Sequence, residues 1–143
     1  MEEVFYQMEI RYNDFLISDD KSKIQIDKVC SLLNKSYWAE NRPRDIIEKS
    51  IENSICFGVY CNDEQVGFAR CVTDYSTMYW LADVIIDDDY RKKGLGKVLM
   101  DAVVNYEQLE GCFGILATKD AHGLYEQYGF KTVDGKYMRK DTE

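Results

Sequence analysis

The residues with the clearest chemical pattern are four cations and two glycines between positions 91 and 97, in the run R-K-K-G-L-G-K. An apolar segment ending in V-I-I precedes this run, and a segment with helical periodicity follows it. A strand, a glycine loop and a helix start direct several backbone N–H groups toward one point, backed by the positive end of the helix dipole. The pattern therefore predicts an anion site of the kind that suits a phosphate.

Two familiar phosphate-binding patterns do not fit this loop. A dinucleotide fingerprint needs a third glycine where Leu99 stands, and a P-loop needs glycine at Arg91 and a hydroxyl residue at Val98. The pattern that remains is R-x-x-G-x-G, from Arg91 to Gly96. The alternative is a solvated basic helix start with glycines for a tight turn. A bound anion explains better why cations, which oppose the dipole, replace the usual Asp or Ser cap.

The elements that position the loop follow from hydrophobic periodicity. Residues 78–86 read as a strand buried on both faces, and apolar residues spaced three and four apart predict a helix over 92–108. Residues 113–118 read as another buried strand. We expect a right-handed crossover between parallel strands, with a ligand beyond their carboxyl ends, where the glycine loop lies.

The remaining elements extend this unit into one α/β domain over residues 1–143. The predicted order is β-α-α-β-β-β-α-β-α-β-β, which forms a mixed sheet with helices on both faces. The predicted pieces are a strand or two short ones within 4–17, helices at about 24–35 and 43–53, a hairpin of 55–61 with 66–74, a short helix closed by Gly129, and a hairpin around Asp134-Gly135.

Composition limits the classes of partner. A net charge of −8 argues against nucleic acid and anionic membranes, and weakly favours a cationic co-substrate. Five scattered cysteines and one histidine give no metal-ligand spacing, so we expect no metal and reduced thiols in the cytoplasm. The acidic start has no apolar signal-peptide core, and no run approaches the ~20 residues of a membrane span.

Two motifs together carry a family resemblance: I-I-D-D-D-Y-R-K-K-G-L-G-K-V-L-M and, further along, L-Y-E-Q-Y-G-F. With these motifs in this order, the chain resembles the GNAT superfamily of acyl-CoA-dependent N-acyltransferases over nearly its whole length. The resemblance implies acetyl-CoA as co-substrate and an amine acceptor, either a small molecule or a protein amine. It also implies a fold in which homodimers are common. It does not name the acceptor.

Carried over residue by residue, the resemblance implies a set of cofactor contacts. Tyr125 would protonate or hydrogen-bond the departing thiolate, although an ordinary core aromatic is the alternative. Thr118 stands where the family commonly has an asparagine, and it can still donate one hydrogen bond to the cofactor in place of the fixed amide contact. Strand residues beside the pantetheine arm, one of them polarising the thioester carbonyl, would be Val84, Ile85 and Ile86. The diphosphate cradle would be Arg91, Lys92, Lys93, Gly94, Leu95, Gly96 and Lys97.

The amine nucleophile must lose a proton, and Asp83 is the candidate acceptor because it is the one charged residue in an apolar strand. A structural aspartate bonded to a neighbouring strand or loop is the equal alternative. His122 is a second candidate base, but a surface histidine is the simpler interpretation. We expect Asp120 to cap the last helix.

The acceptor pocket is predicted between the first two helices, where two aromatic residues lead into E-N-R-P, a segment that includes Arg42. Its expected walls are Tyr37, Trp38 and Asp74, the last at the end of the central hairpin. Neither motif contains a cysteine, so we expect direct transfer of acetyl to a primary amine without an acyl-enzyme. The alternative function is a non-catalytic acyl-CoA-binding or sensor module. A nucleotide-binding protein is disfavoured by the two failed glycine patterns.

Overall fold

The computed structural model describes residues 7–142, and this part of the chain forms six strands and four helices. Residues 4–6 of the first predicted strand lie outside the described residues. The elements are β1 Glu9–Tyr12, β2 Phe15–Ser18, α1 Ile26–Asn34, α2 Arg44–Glu52, β3 Ile55–Cys61, β4 Glu64–Thr73, β5 Met78–Ile86, α3 Leu95–Val104, β6 Phe113–Ile115 and α4 His122–Glu126.

The strands form one sheet in the order β1-β2-β3-β4-β5-β6. The first five are antiparallel neighbours, and β6 pairs in parallel with β5 as the sequence predicts. The segment predicted as one strand or two is a hairpin, because Asn13 adopts a left-handed φ of 52° and reverses the chain. A similar turn with Asn62 and Asp63 at positive φ joins β3 to β4.

Helices cover both faces of the sheet, which confirms the predicted architecture. Against one face α3 buries Leu99 and Met100 on residues such as Phe57, and this is the first core. Against the other face α1 and α2 bury residues such as Ile47 on Phe68, and this is the second core. Strands β3, β4 and β5 therefore place apolar residues in both cores. Within residues 7–142, none of the helices has both the length and the apolar character needed to cross a membrane.

A β-bulge at Asp83 interrupts the central strand. Asp83 has φ of 55°, and the register changes from Arg70 opposite Ala82 to Phe68 opposite Ile85. One extra residue on β5 reverses which face each later side chain meets. Leu81 accordingly lies in the first core, whereas Ile85 lies in the second. The predicted burial on both faces is only half realised, because the even-numbered residues of β5 are half-buried.

The parallel pair β5 and β6 separates soon after it begins. Only Met78 to Trp80 pair with Phe113 to Ile115, so β6 is shorter than the predicted strand 113–118. Beyond Trp80, β5 has a strand neighbour on one side only, which is β4. The divergence opens a cavity of about 1720 Å³, called the cleft below.

The predicted carboxyl-terminal hairpin is wrong. The chain does turn at Asp134-Gly135, where Gly135 has φ of 70°, but the flanking residues pair with no strand in the described chain. These flanks have little apolar surface to bury, and Met138 is 97% exposed. A hairpin without an apolar face is marginal in water. The segment instead lies along the cleft, with the ring of Tyr137 6.0 Å from that of Trp80.

Candidate active site

The glycine loop, residues 91–97, presents unpaired backbone donors at the start of α3. Lys92 and Gly94 both adopt left-handed backbone conformations, with φ of 65° and 79°. No side chain caps α3, as the sequence predicts. Within residues 7–142, none of the six amides from Lys92 to Lys97 donates to a protein acceptor. Such a concave set of N–H groups at a helix N-terminus is an anion-binding arrangement.

Two tyrosines hold this loop by its carbonyl oxygens. The Tyr12 hydroxyl donates to the oxygen of Lys93 at 3.0 Å, and the Tyr128 hydroxyl donates to the oxygen of Lys97 at 2.8 Å. A Cβ on Gly94 would lie 2.8 Å from the Tyr12 oxygen, so glycine is needed for this packing as well as for its φ. The sequence analysis missed both tyrosines, and no local pattern relates Tyr12 to a loop 81 residues away.

The four cations of the loop are not equivalent. Arg91 and Lys92 line the cleft, and the Arg91 guanidinium also pairs with Asp88 at 3.0 Å. The cleft lining does not include Lys93 and Lys97, which contribute to the loop through their backbones. Gly94, Leu95 and Gly96 complete the lining at the start of the helix. Five of the seven loop residues predicted from the sequence therefore line the cleft.

The free side of β5 forms the next wall. Val84, Ile85 and Ile86 all line the cleft, and they follow the point where β6 departs. Val84 and Ile86 pack partly against the first core, while Ile85 is buried in the second. The strand is thus rigid on one side and unpaired on the other, so an extended ligand can pair with it as an added strand would.

Tyr125 lies on α4 and also lines the cleft. Its ring meets Phe130 edge to face at 6.2 Å, and the turn after the helix ends at Gly129, with φ of 88°, as predicted. Burial raises the pKa of the Tyr125 phenol, with smaller contributions from Tyr37 and Asp120. The phenol is therefore neutral at physiological pH and can donate a proton.

The cap predicted for α4 is wrong. Ala121 occupies the cap position without a side-chain bond, and its N–H donates to the Thr118 hydroxyl at 3.0 Å. Thr118, rather than Asp120, therefore supplies the side-chain acceptor at the start of α4. Its hydroxyl proton stays available toward the cleft, which Thr118 lines.

Asp83 is the centre of a polar cluster on the opposite side of β5 from the first core. We call Trp38, Arg42, Arg70 and Asp83 the Asp83 cluster. The indole N–H of Trp38 donates to one Asp83 oxygen at 2.8 Å. Arg42 and Arg70 donate to the other oxygen at 2.8 and 2.9 Å. Asp83 is only 5% exposed, so these three donors compensate for its lost hydration.

Arg70 is the member of this cluster that the sequence analysis missed. It is the one charged residue inside the apolar run V-G-F-A-R-C-V, the same signal that selected Asp83 in the next strand. Two opposite charges in adjacent buried strands indicate a pair. The bulge brings the pair together, since it turns the Asp83 side chain toward the face that carries Arg70.

Tyr37 and Trp38 lie in the turn between α1 and α2 and line the cleft. The Ser36 hydroxyl fixes this turn by accepting from the N–H of Ala39 at 3.1 Å and donating to the Leu33 oxygen at 2.7 Å. The two rings meet edge to face at 5.0 Å. The Tyr37 oxygen accepts from the N–H of Lys119 at 3.2 Å, which ties this turn to the segment before α4.

Besides Lys93 and Lys97, two further predicted residues lie outside the lining of the cleft. Asp74 accepts from Ser76 and Thr77 in the turn between β4 and β5, and these bonds lower its pKa. His122 is exposed at the start of α4, which agrees with a surface histidine. Among residues 7–142, no group of three or more potential metal ligands comes together.

The fold and the site define an α/β domain in which a loop of backbone amides, unpaired within residues 7–142, follows β5, the strand that pairs in parallel with the edge strand β6. A family model described as "Acetyltransferase (GNAT) domain" matches residues 52–132. The chain therefore belongs to the GNAT family of acetyltransferases, which use acetyl-CoA.

Individual relatives agree with this assignment. A solved structure from Xanthomonas campestris pv. campestris, provisionally assigned as a GNAT-family acetyltransferase, is 36% identical with a TM-score of 0.86, covering 90% of this chain and 93% of that one. A GNAT-family protein of Streptococcus pneumoniae, SP0256, shares the fold with a TM-score of 0.66 at 22% identity, covering 90% and 96%. The provisionally named acetyltransferase FG08082 of Gibberella zeae is 28% identical, covering 82% of this chain and 80% of that protein.

Proposed function

We propose that this protein transfers an acetyl group from acetyl-CoA to a primary amine by direct attack through a tetrahedral intermediate. The observation that carries the proposal is the set of six unpaired amides from Lys92 to Lys97 at the start of α3. Backbone donors in this arrangement suit the diphosphate of CoA, and Arg91 and Lys92 add charge at the same place.

The thioester end is proposed to lie along the unpaired side of β5. A backbone N–H among Val84, Ile85 and Ile86 would donate to the thioester carbonyl and stabilise the oxyanion that forms on attack. Thr118, on the wall across the cleft, can donate its hydroxyl proton to the co-substrate. These contacts position the reacting carbon without any movement of the buried strand.

Tyr125 is proposed to hydrogen-bond or protonate the departing thiolate. Its raised pKa keeps the proton on the phenol, so the phenol can donate to the sulfur as negative charge develops on it. None of the five cysteines lines the cleft within the described chain. Burial raises the pKa of Cys56 to about 11 and that of Cys71 to about 12, so neither thiol is a ready nucleophile. Direct attack is consistent with this arrangement.

Asp83 is proposed to accept the proton of the amine, directly or through water. Its second oxygen accepts from Arg42 and Arg70, whereas its first oxygen accepts only from Trp38 and keeps one lone pair that could take the proton. The second proposed role of Asp83 is to hold Arg42 and Arg70 at the acceptor side. Tyr37 and Trp38 are proposed as the apolar wall of the same pocket. Five free thiols fit a reducing compartment, so we propose the cytoplasm as its location.

A thiol-release assay with acetyl-CoA and a panel of amines tests this function. We expect CoA release that depends on the acceptor, together with an N-acetylated product detected by mass spectrometry. Binding of acetyl-CoA without acceptor-dependent release by any amine would instead identify a non-catalytic acyl-CoA-binding module. Failure to bind acetyl-CoA would remove the proposal altogether.

A further inference from the structure

The Asp83 cluster carries more positive charge than its carboxylate can neutralise. One buried carboxylate pairs with two guanidinium groups, so the cluster has an excess of one positive charge. Three of the roughly four lone-pair sites of the carboxylate are also used, because Trp38 donates to the first oxygen and the two arginines donate to the second. Asp83 therefore fixes the arginines in place without cancelling their charge.

Both arginines line the cleft and, within residues 7–142, keep donors that no protein acceptor uses. Arg42 uses only Nη1, toward Asp83, and its side chain is 23% exposed. Arg70 uses Nε toward Asp83 and Nη1 toward Ser54, and its side chain is 13% exposed. Within residues 7–142, the Nη2 groups of both have no acceptor, although both residues line the cleft. Fixed guanidinium donors of this kind suit a carboxylate.

The charge around the cleft is opposite in sign to that of the whole protein. The chain has a net charge of −8, yet the described residues that line the cleft include eight basic and four acidic side chains. Two of the basic residues, Arg91 and Lys92, belong to the glycine loop and are assigned to the diphosphate. The other lining residues still include six basic and four acidic side chains, and this excess repels a polycation and attracts an anion.

We propose that the acceptor is a small amine that also carries a carboxylate, which Arg42 and Arg70 bind beside the reacting nitrogen. This inference deepens the proposed function and rests on it. The acidity of the whole chain weakly predicted a cationic co-substrate. The positive charge that lines the cleft favours an acceptor with a carboxylate instead.

The test compares acceptors that differ only in the carboxylate. L-amino acids, their carboxamides, the matching decarboxylated amines and a tripeptide amide are assayed by CoA release with the intact protein. We expect kcat/KM for the best amino acid to exceed that of its carboxamide by roughly 10- to 100-fold, the range of a charge-assisted hydrogen bond. Preference for a carboxamide, a diamine or the tripeptide amide would overturn the inference and leave acetyl transfer intact.

A pair of variants assigns the preference to the cluster. In Arg42→Gln, the ratio of kcat/KM for the acid over its carboxamide should fall by about tenfold, through KM for the acid. Arg44→Gln is the matched control, because Arg44 pairs with Asp27 and Glu48 outside the cleft, and it should keep the wild-type ratio. Melting temperature and acetyl-CoA affinity confirm that Arg42→Gln is folded. An unchanged ratio in folded Arg42→Gln overturns the assignment, and no release with any amine overturns the proposed function as well.

Discussion

The glycine loop and the Asp83 cluster face the same cleft but are built in different ways. The loop is seven consecutive residues, and its donors are backbone amides. The cluster joins side chains from three segments, with Asp83 lying 45, 41 and 13 residues from Trp38, Arg42 and Arg70. A site made of backbone suits a co-substrate that all family members share, whereas a site made of side chains can change with the acceptor.

This difference leads to separate consequences for substitutions. Changes in the glycine loop should alter acetyl-CoA affinity and leave acceptor preference alone. Changes in the Asp83 cluster should do the reverse. Tyr125, which lies on α4 between the two regions, should affect the chemical step without affecting either binding event.

Tyr125→Phe is expected to have the largest effect. Loss of the proton donor should lower kcat by about 10²-fold or more, while the dissociation constant for acetyl-CoA stays near wild type. Steady-state kinetics and calorimetry measure the two quantities. Tyr75→Phe is a suitable control, because Tyr75 is 53% exposed and does not line the cleft. Wild-type turnover in Tyr125→Phe would remove the phenol from the mechanism.

The pH dependence of kcat tests the role of the Tyr125 phenol in a second way. Because its folded pKa is raised, Tyr125 keeps its proton through and above the ordinary tyrosine value of 10.0. We expect that the phenol causes no fall in kcat below pH 10 in the wild type. At higher pH, where it ionises, kcat should fall in the wild type but not in Tyr125→Phe. A fall in kcat near pH 8 that disappears in Tyr125→Phe would contradict a raised pKa for the Tyr125 phenol.

Asp83→Asn should reduce both stability and turnover. It leaves two guanidinium groups facing a neutral amide, and we expect a loss of about 2–3 kcal/mol in the free energy of unfolding. Urea denaturation measures this loss. Asp27→Asn, which removes the exposed partner of Arg44, should leave the free energy of unfolding close to the wild-type value.

The pH–rate profile of Asp83→Asn separates the two roles proposed for Asp83. A proton acceptor predicts lower kcat and a flattened profile. A role limited to holding Arg42 and Arg70 predicts a raised acceptor KM and a profile of wild-type shape. Wild-type turnover in Asp83→Asn would remove Asp83 from the mechanism. Weakened acetyl-CoA binding would show that the Asp83 cluster and the glycine loop do not act independently.

Gly94→Ala addresses the loop without changing any charge. The new Cβ would meet the Tyr12 oxygen at 2.8 Å and would sit on a backbone with φ of 79°. We expect acetyl-CoA affinity to fall roughly tenfold, with acceptor preference unchanged. Gly111→Ala is the matched control, since Gly111 has φ of 85° with open space around it and should lose stability but not affinity.

Tyr12→Phe should produce the smallest of these effects. It removes the hydroxyl that donates to the Lys93 oxygen and leaves the ring in place. One neutral hydrogen bond corresponds to about 0.5–1.5 kcal/mol, so calorimetry should show acetyl-CoA affinity reduced by roughly two- to tenfold. Unchanged affinity would mean that the loop keeps its shape without this tyrosine.

The parts of the structure that depend on local pattern could be predicted from the sequence. The bounds of β3 and β5 match their apolar runs residue for residue, because burial on a sheet requires such runs. The glycine loop was recognisable for a similar reason, since its conformation requires glycine at position 94.

The parts that depend on tertiary context were missed. Nothing in M-Y-W-L-A-D-V-I-I marks a bulge at Asp83, because the register is set jointly with β4. The tyrosines that hold the loop are distant in sequence, and Arg70 becomes part of the site only through its pairing with Asp83. The carboxyl-terminal hairpin was predicted from a turn dipeptide alone, but the flanking residues bury too little surface to form strands.

The most direct test of the account is calorimetric titration of the purified protein with CoA and, separately, with pantetheine, which lacks the nucleotide and the diphosphate. If the amides from Lys92 to Lys97 bind the diphosphate, CoA should bind at one site per chain and pantetheine at least about tenfold more weakly. Equal affinity for the two compounds, or no detectable binding of CoA, would contradict the central claim.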